Sequence, residues 1–160
     1  MGLRGSRLKN IVDTAEYLEP KVSTGTADID ISVAVYTGFV TLLTITPASG
    51  ETLQDLQIDL AYNKATTGVS AVATNADTLD VQVIAKADDT NYSRIAAGSQ
   101  VTLTGSATPA ITGERFKVGT VDGVIEVQVK LSAERADAEI PYKITYRSLE
   151  EATITAVAAG

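Results

Sequence analysis

The stretch Phe116–Leu131, FKVGTVDGVIEVQVKL, sets the reading of the whole chain. On one side Phe116, Val118 and Val121 approach Asp122-Gly123; on the other Ile125, Val127, Val129 and Leu131 alternate with polar residues. A period of two marks a strand with one face buried. Asp-Gly between two such runs is the strongest short-range hairpin signal, because both central positions of the turn need positive φ. The expectation here is therefore a β-hairpin.

The same period recurs outward from this point. Ile29, Ile31, Val33 and Val35 alternate with Asp28, Asp30, Ser32 and Ala34. Phe39 to Thr46 reads as a second strand, and Leu56, Ile58, Leu60 and Tyr62 define a third. Leu79, Val81, Val83 and Ala85 form a fourth, Val101 and Leu103 a short fifth. Asn63–Ser70 and Thr104–Gly113 read as loops. Ile140, Tyr142, Ile144 and Tyr146 alternate through a further strand, in which Pro141 suggests an edge position because it lacks a ladder donor. Thr153 to Val157 reads as an edge strand or a tail. Eight or nine short strands separated by turn residues predict a single all-β domain, an antiparallel sandwich or barrel-like fold.

Residues 1–27 follow a different period. Leu8, Ile11, Val12, Ala15 and Leu18 share one face of a helix of about three turns. Pro20 would stop it, and Ser23-Thr24-Gly25-Thr26 reads as a flexible connection. The expected division is an N-terminal arm or short helix over 1–27 and a β domain over 28–160. The arm is read as capping its own domain or docking on a neighbour, with Leu8, Ile11, Val12 and Leu18 as the expected contact residues for a capsid surface or another protomer.

Composition narrows the chemistry. The 160 residues include no histidine and no cysteine, which removes the usual base for serine or thiol catalysis and the ligands of transition metals. Paired carboxylates at Asp28/Asp30, Asp55/Asp59, Asp77/Asp80 and Asp88/Asp89 are candidates for glycoside hydrolysis. Solvated strand faces and turns account for them more simply. Asp88, Asp89 and Asn91 offer hard oxygen ligands suited to calcium, but they also fit Asx-type turns. No enzyme activity and no cofactor are expected. With six Tyr, two Phe and no Trp, sugars and bases have few stacking partners. The net charge is −7, and residues 28–160 hold 17 acidic groups against 9 basic ones. An acidic body argues against nucleic-acid binding. No segment reaches the apolar length of a membrane span, and the N-terminus has no secretory h-region. Folding in a cytoplasm is expected.

Three stretches carry a family resemblance: Thr46–Val72 (TPASGETLQDLQIDLAYNKATTGVSAV), Ala76–Ile95 (ADTLDVQVIAKADDTNYSRI) and Val124–Arg147 (VIEVQVKLSAERADAEIPYKITYR). Threonine- and alanine-rich strands of this type resemble virion proteins of tailed bacteriophages, most of all head decoration, or cement, proteins. The resemblance implies a homotrimer on the outer capsid surface of the virion. Its partner would be the major capsid protein, and its task resisting the pressure of packaged DNA. Tail-tube proteins share the style, and their mark would be a long hairpin such as the one expected around Asp122-Gly123. A host-surface carbohydrate-binding module is the rival of a different class.

Overall fold

The computed structural model describes residues 18–31, 38–63, 78–86, 93–104, 111–131 and 135–157. Among them are nine strands and no helix: β1 (Pro20–Ile31), β2 (Val40–Thr46), β3 (Leu53–Asn63), β4 (Thr78–Lys86), β5 (Ser93–Thr104), β6 (Ile111–Val121), β7 (Ile125–Leu131), β8 (Arg135–Arg147) and β9 (Thr153–Ala156). They form two antiparallel sheets in a sandwich. One has four strands in the order β1-β8-β3-β6, the other five in the order β5-β4-β7-β2-β9. The all-β sandwich expected from the alternation is what the chain forms.

The core lies between the sheets and is aliphatic. Leu56, Ile58, Leu60 and Tyr62 of β3 face Leu79, Val81 and Val83 of β4 and Ile125, Val127 and Val129 of β7 across it. The intervening side chains, such as Gln57, Asp59, Glu126 and Gln128, point outward. β2 departs from strict alternation, since neighbouring Leu42 and Leu43 are both buried. Its register against β7 shifts between Thr41 and Leu43, and such a bulge turns two successive side chains toward one region.

Several expectations are corrected. Asp122-Gly123 does not close a hairpin. β6 pairs with β3 in the four-stranded sheet, whereas β7 pairs with β4 and β2 in the other, so the dipeptide is a crossover between layers. Neither residue has positive φ. Consecutive strands change sheet at every step except β4 to β5. Ser23-Thr24-Gly25-Thr26 is not a connection either. It lies inside β1, which begins at Pro20 and pairs with β8 from Pro20↔Arg147 onward. Gly25 sits under the ring of Tyr142, its cross-strand partner, and a Cβ there would collide with that ring. Glycine thus marks the site of an aromatic partner, not a break in the strand.

Pro141 is not on an edge, because β8 runs between β1 and β3. The β3–β8 ladder ends at Leu60↔Tyr142, so the proline stands just past the last pair on that side. β5 is longer than expected, and its pairing with β4 jumps from Gln82↔Gln100 to Ile84↔Ile95. The residues Ala96-Ala97-Gly98-Ser99 between them carry no alternation and so gave no signal. β6 starts at Ile111, inside the expected loop, and β9 occupies the expected edge run at Thr153–Ala156.

Candidate interaction surfaces

Side chains that point away from the core are arranged in rows that cross the sheets. On the five-stranded sheet, Gln82 of β4, Gln128 of β7 and Thr41 of β2 are register partners in sequence across three strands. The Gln82 amide donates to Gln128 Oε1 at 2.8 Å, and Gln128 Nε2 donates to Glu126 Oε2, also at 2.8 Å. Thr41 Oγ1 donates to the same carboxylate at 3.3 Å, and Lys86 forms an ion pair with it. The Glu126 side chain is only 13% exposed. Burial alone would raise its pKa. Hydrogen bonds from Lys86 and Gln128, the Lys86 charge and the Thr41 hydroxyl outweigh this and hold it below the usual carboxylate range.

The outer face of the four-stranded sheet has a different character. Arg115 of β6, Asp59 of β3, Lys143 of β8 and Thr24 of β1 form one row across all four strands. Arg115 grips Asp59 with two bonds, Nε to Oδ1 at 2.6 Å and Nη2 to Oδ2 at 3.2 Å. Gln57 Nε2 adds a third at 3.1 Å. The Arg115 hydrogen bonds hold the Asp59 carboxyl below its ordinary pKa against a modest desolvation, with the Lys143 charge helping. A parallel row of small residues, Gly113, Ala61 and Pro141, floors a shallow trough beside these charges. Arg115, Asp59 and Lys143 line one side of it, with Glu114 and Tyr142 also at its walls.

These two carboxylates make acid stability a test of the arrangement. Each has a folded pKa below its unfolded value of roughly 4. Their contribution is therefore fully present above about pH 5 and is lost as pH falls through the folded values. Urea midpoints should be level between pH 5 and 8, where the chain has no histidine to titrate, and should fall between pH 5 and 3. Glu126→Gln should flatten that fall. An unchanged acid slope in this variant would show that the row contributes nothing to it.

Of the expected contact residues, Leu8, Ile11 and Val12 lie outside the described residues, as does the helix expected to carry them. Leu18 is half-buried beside the start of β1. Its carbonyl accepts a hydrogen bond from Arg147 Nη1 at 2.8 Å. Arg147 also approaches Asp55, Nε to Oδ2 at 3.5 Å. The Asp pairs do not form acid–base dyads among the described residues. Asp55 sits in the left-handed region at φ 53°, in a bulge where β3 gains a residue on both neighbours. It is directed to Arg147, whereas Asp59 is directed to Arg115. Asp80 lies opposite Lys130 on the other sheet. Asp77, Asp88, Asp89 and Asn91 lie outside the described residues. Among those described, no cluster of three acidic side chains is placed to hold a metal ion.

The cross-strand rows could not be read from the chain alone. Their members lie up to 119 positions apart, as with Thr24 and Lys143, and only register brings them together. The available signal was local: basic residues at outward positions, as with Arg115 and Lys117 around buried Phe116.

No family model matches this chain, and no curated protein matches it. Among solved structures it is similar to a chain of infectious bursal disease virus, Gx strain, at 14% identity and a TM-score of 0.35. That match covers 86% of this chain but 32% of the viral one, so this chain spans about a third of it. It is also similar to the carbohydrate-binding module TmCBM61, determined with β-1,4-galactotriose, at 9% identity and a TM-score of 0.31, covering 90% of this chain and 92% of that one. Neither likeness assigns a function.

Proposed function

We propose that this protein is a structural virion protein of a tailed bacteriophage that binds the outer capsid surface and stabilises the shell. The observation that carries the reading is the pair of outward faces just described. On each a group of polar side chains is tied together, Thr41, Gln82, Glu126, Gln128 and Lys86 on one and Gln57, Asp59 and Arg115 on the other, leaving these groups little rotamer freedom to lose on docking. A preorganised flat face suits repeated contact with a lattice, where weak identical contacts add up by multivalency. The family resemblance of Thr46–Val72, Ala76–Ile95 and Val124–Arg147 supplies the rest. It gives the major capsid protein as partner and a homotrimer as the bound form, and the helical period of the N-terminal segment adds Leu8, Ile11, Val12 and Leu18 as a second contact. The reading needs no cofactor and no catalysis.

The effect would be one of mass action, since each bound copy favours the assembled shell over its parts. Shells made without the protein should assemble, then release DNA at lower temperature than complete ones. Adding the purified protein should restore their resistance and saturate at a fixed ratio to capsid subunits. If bare shells are as heat-resistant as decorated ones, the reading fails. Recovery of the protein from separated tails instead of heads would replace it with the tail-tube alternative.

A further inference from the structure

One part of the outer face of β1-β8-β3-β6 is basic in a chain whose net charge is −7. From the trough to the end of β8 it presents Arg115, Lys117, Lys143 and Arg147 against the carboxylates of Asp55 and Asp59. Those two carboxylates are engaged by Arg115 and Arg147. Lys117 and Lys143 are exposed, and no ion pair holds either among the described residues. Beyond the trough the same strands carry Glu139 and Asp28, and Glu114 stands at its wall, so the positive charge is confined to one part of the face. The floor of Gly113, Ala61 and Pro141 lies lower than this charged rim because its side chains are short.

We propose that this face is a docking surface for an acidic, extended protein segment. Its backbone would lie in the trough and its carboxylates would reach Lys143 and Lys117. Complementary charge is the reason for the choice of partner. The two lysines stand two strands and two residues apart, on the order of 12 Å, which suits carboxylates about four residues apart along an extended chain. A nucleic acid is disfavoured, because no described aromatic ring lies exposed on this face for bases to stack on and the remaining surface is acidic. The inference deepens the structural reading above by naming the chemistry of the partner at one face, and it rests on that reading only for where such a segment would be met.

The binding test uses the full chain and defined probes, and only its last arm uses capsid shells. Isotope-labelled protein is titrated with a ten-residue oligoglutamate, an oligolysine of equal length and a ten-nucleotide oligothymidylate at low salt. Amide shifts should move with oligoglutamate at positions 61, 113, 117, 142, 143 and 145, and not with oligolysine. Reversing both charges, Lys117→Glu with Lys143→Glu, should weaken oligoglutamate binding at least about tenfold, and raised salt should do the same. Lys130→Glu on the other sheet should leave it within about twofold. No shifts, or shifts centred on Lys86 and Lys130, would overturn the proposal. Oligothymidylate binding on this face more tightly than oligoglutamate would replace it with a nucleic-acid surface. Shell stabilisation that survives the double reversal would sink this docking face while leaving the structural role standing.

Discussion

Ile58→Ala is expected to lower the unfolding free energy by about 3 kcal/mol, within the usual range for emptying a buried Ile site. Ile58 is 0% exposed and sits on β3, inside the four-stranded sheet. Its register partners are Phe116 on β6 and Ile144 on β8, both buried. The loss has two parts: the transfer energy of the removed carbons and the cavity left behind. Ladders on both sides fix the backbone there, so the neighbours have little room to collapse into the space. For a chain of this size the melting temperature should fall by about 10 °C. Val22→Ala is the control. Val22 is 57% exposed on β1, at the edge of the same sheet, and its loss should be within about 0.5 kcal/mol. Denaturant unfolding of the three proteins decides the matter. A loss below about 1 kcal/mol at position 58 would mean that β3 does not face a packed core.

The second large effect is expected at Gly123. Its φ is not in the left-handed region, so conformational freedom is not why glycine stands there. The reason is close approach: a Cβ at this position would overlap the carbonyl oxygen of Lys86 at the end of β4. Lys86 N also donates to Val124 O at 2.8 Å, which staples the crossover to that strand. Gly123→Ala must push the two backbones apart, strain this bond and draw Ile125, which is 0% exposed, out of register. The expected loss is about 2–3 kcal/mol, typical of an overpacked site. Gly123→Asn separates this account from a hairpin turn. In a turn with positive φ, asparagine would be nearly as good as glycine. Here it should be at least as damaging as alanine, while Gly38→Ala, where nothing lies within 4 Å of an added Cβ, should be close to neutral. A mild effect of Gly123→Asn would restore the turn reading.

Legibility from the sequence differed from strand to strand for physical reasons. β3, β4, β7 and β8 each bury one face, and the period of two in Leu56–Tyr62, Leu79–Ala85, Ile125–Leu131 and Ile140–Tyr146 states that directly. β1 was found only from Asp28 because its first half, Pro20–Ala27, is mostly small and polar and carries no apolar alternation. That half is held by pairing with β8 and by the Tyr142 ring over Gly25, neither of which is a local property. The first half of β5 was hidden in the same way.

The polar cross-strand rows and the trough lie further from view. Asp59 is two residues from Gln57 in the chain but fifty-six from Arg115, and it is the Arg115 grip that does most to hold its carboxyl below the ordinary range. The expected contact residues Leu8, Ile11 and Val12 came from a helical period in the N-terminal segment, and only Leu18 falls within the described residues, where Arg147 holds its carbonyl.

What the sequence determined by itself is the class of fold and the limits on chemistry. Side-chain alternation is set by local backbone geometry, so buried and outward faces follow from residue order alone. Lacking histidine and cysteine is a property of composition that no folding can change. Only the tertiary structure decided which strands pair. Asp122-Gly123 satisfies every local rule for a hairpin, yet β6 and β7 find better partners in opposite sheets. Pairing is settled by which combination of faces closes one core, and that is a sum over the whole chain which no short stretch contains.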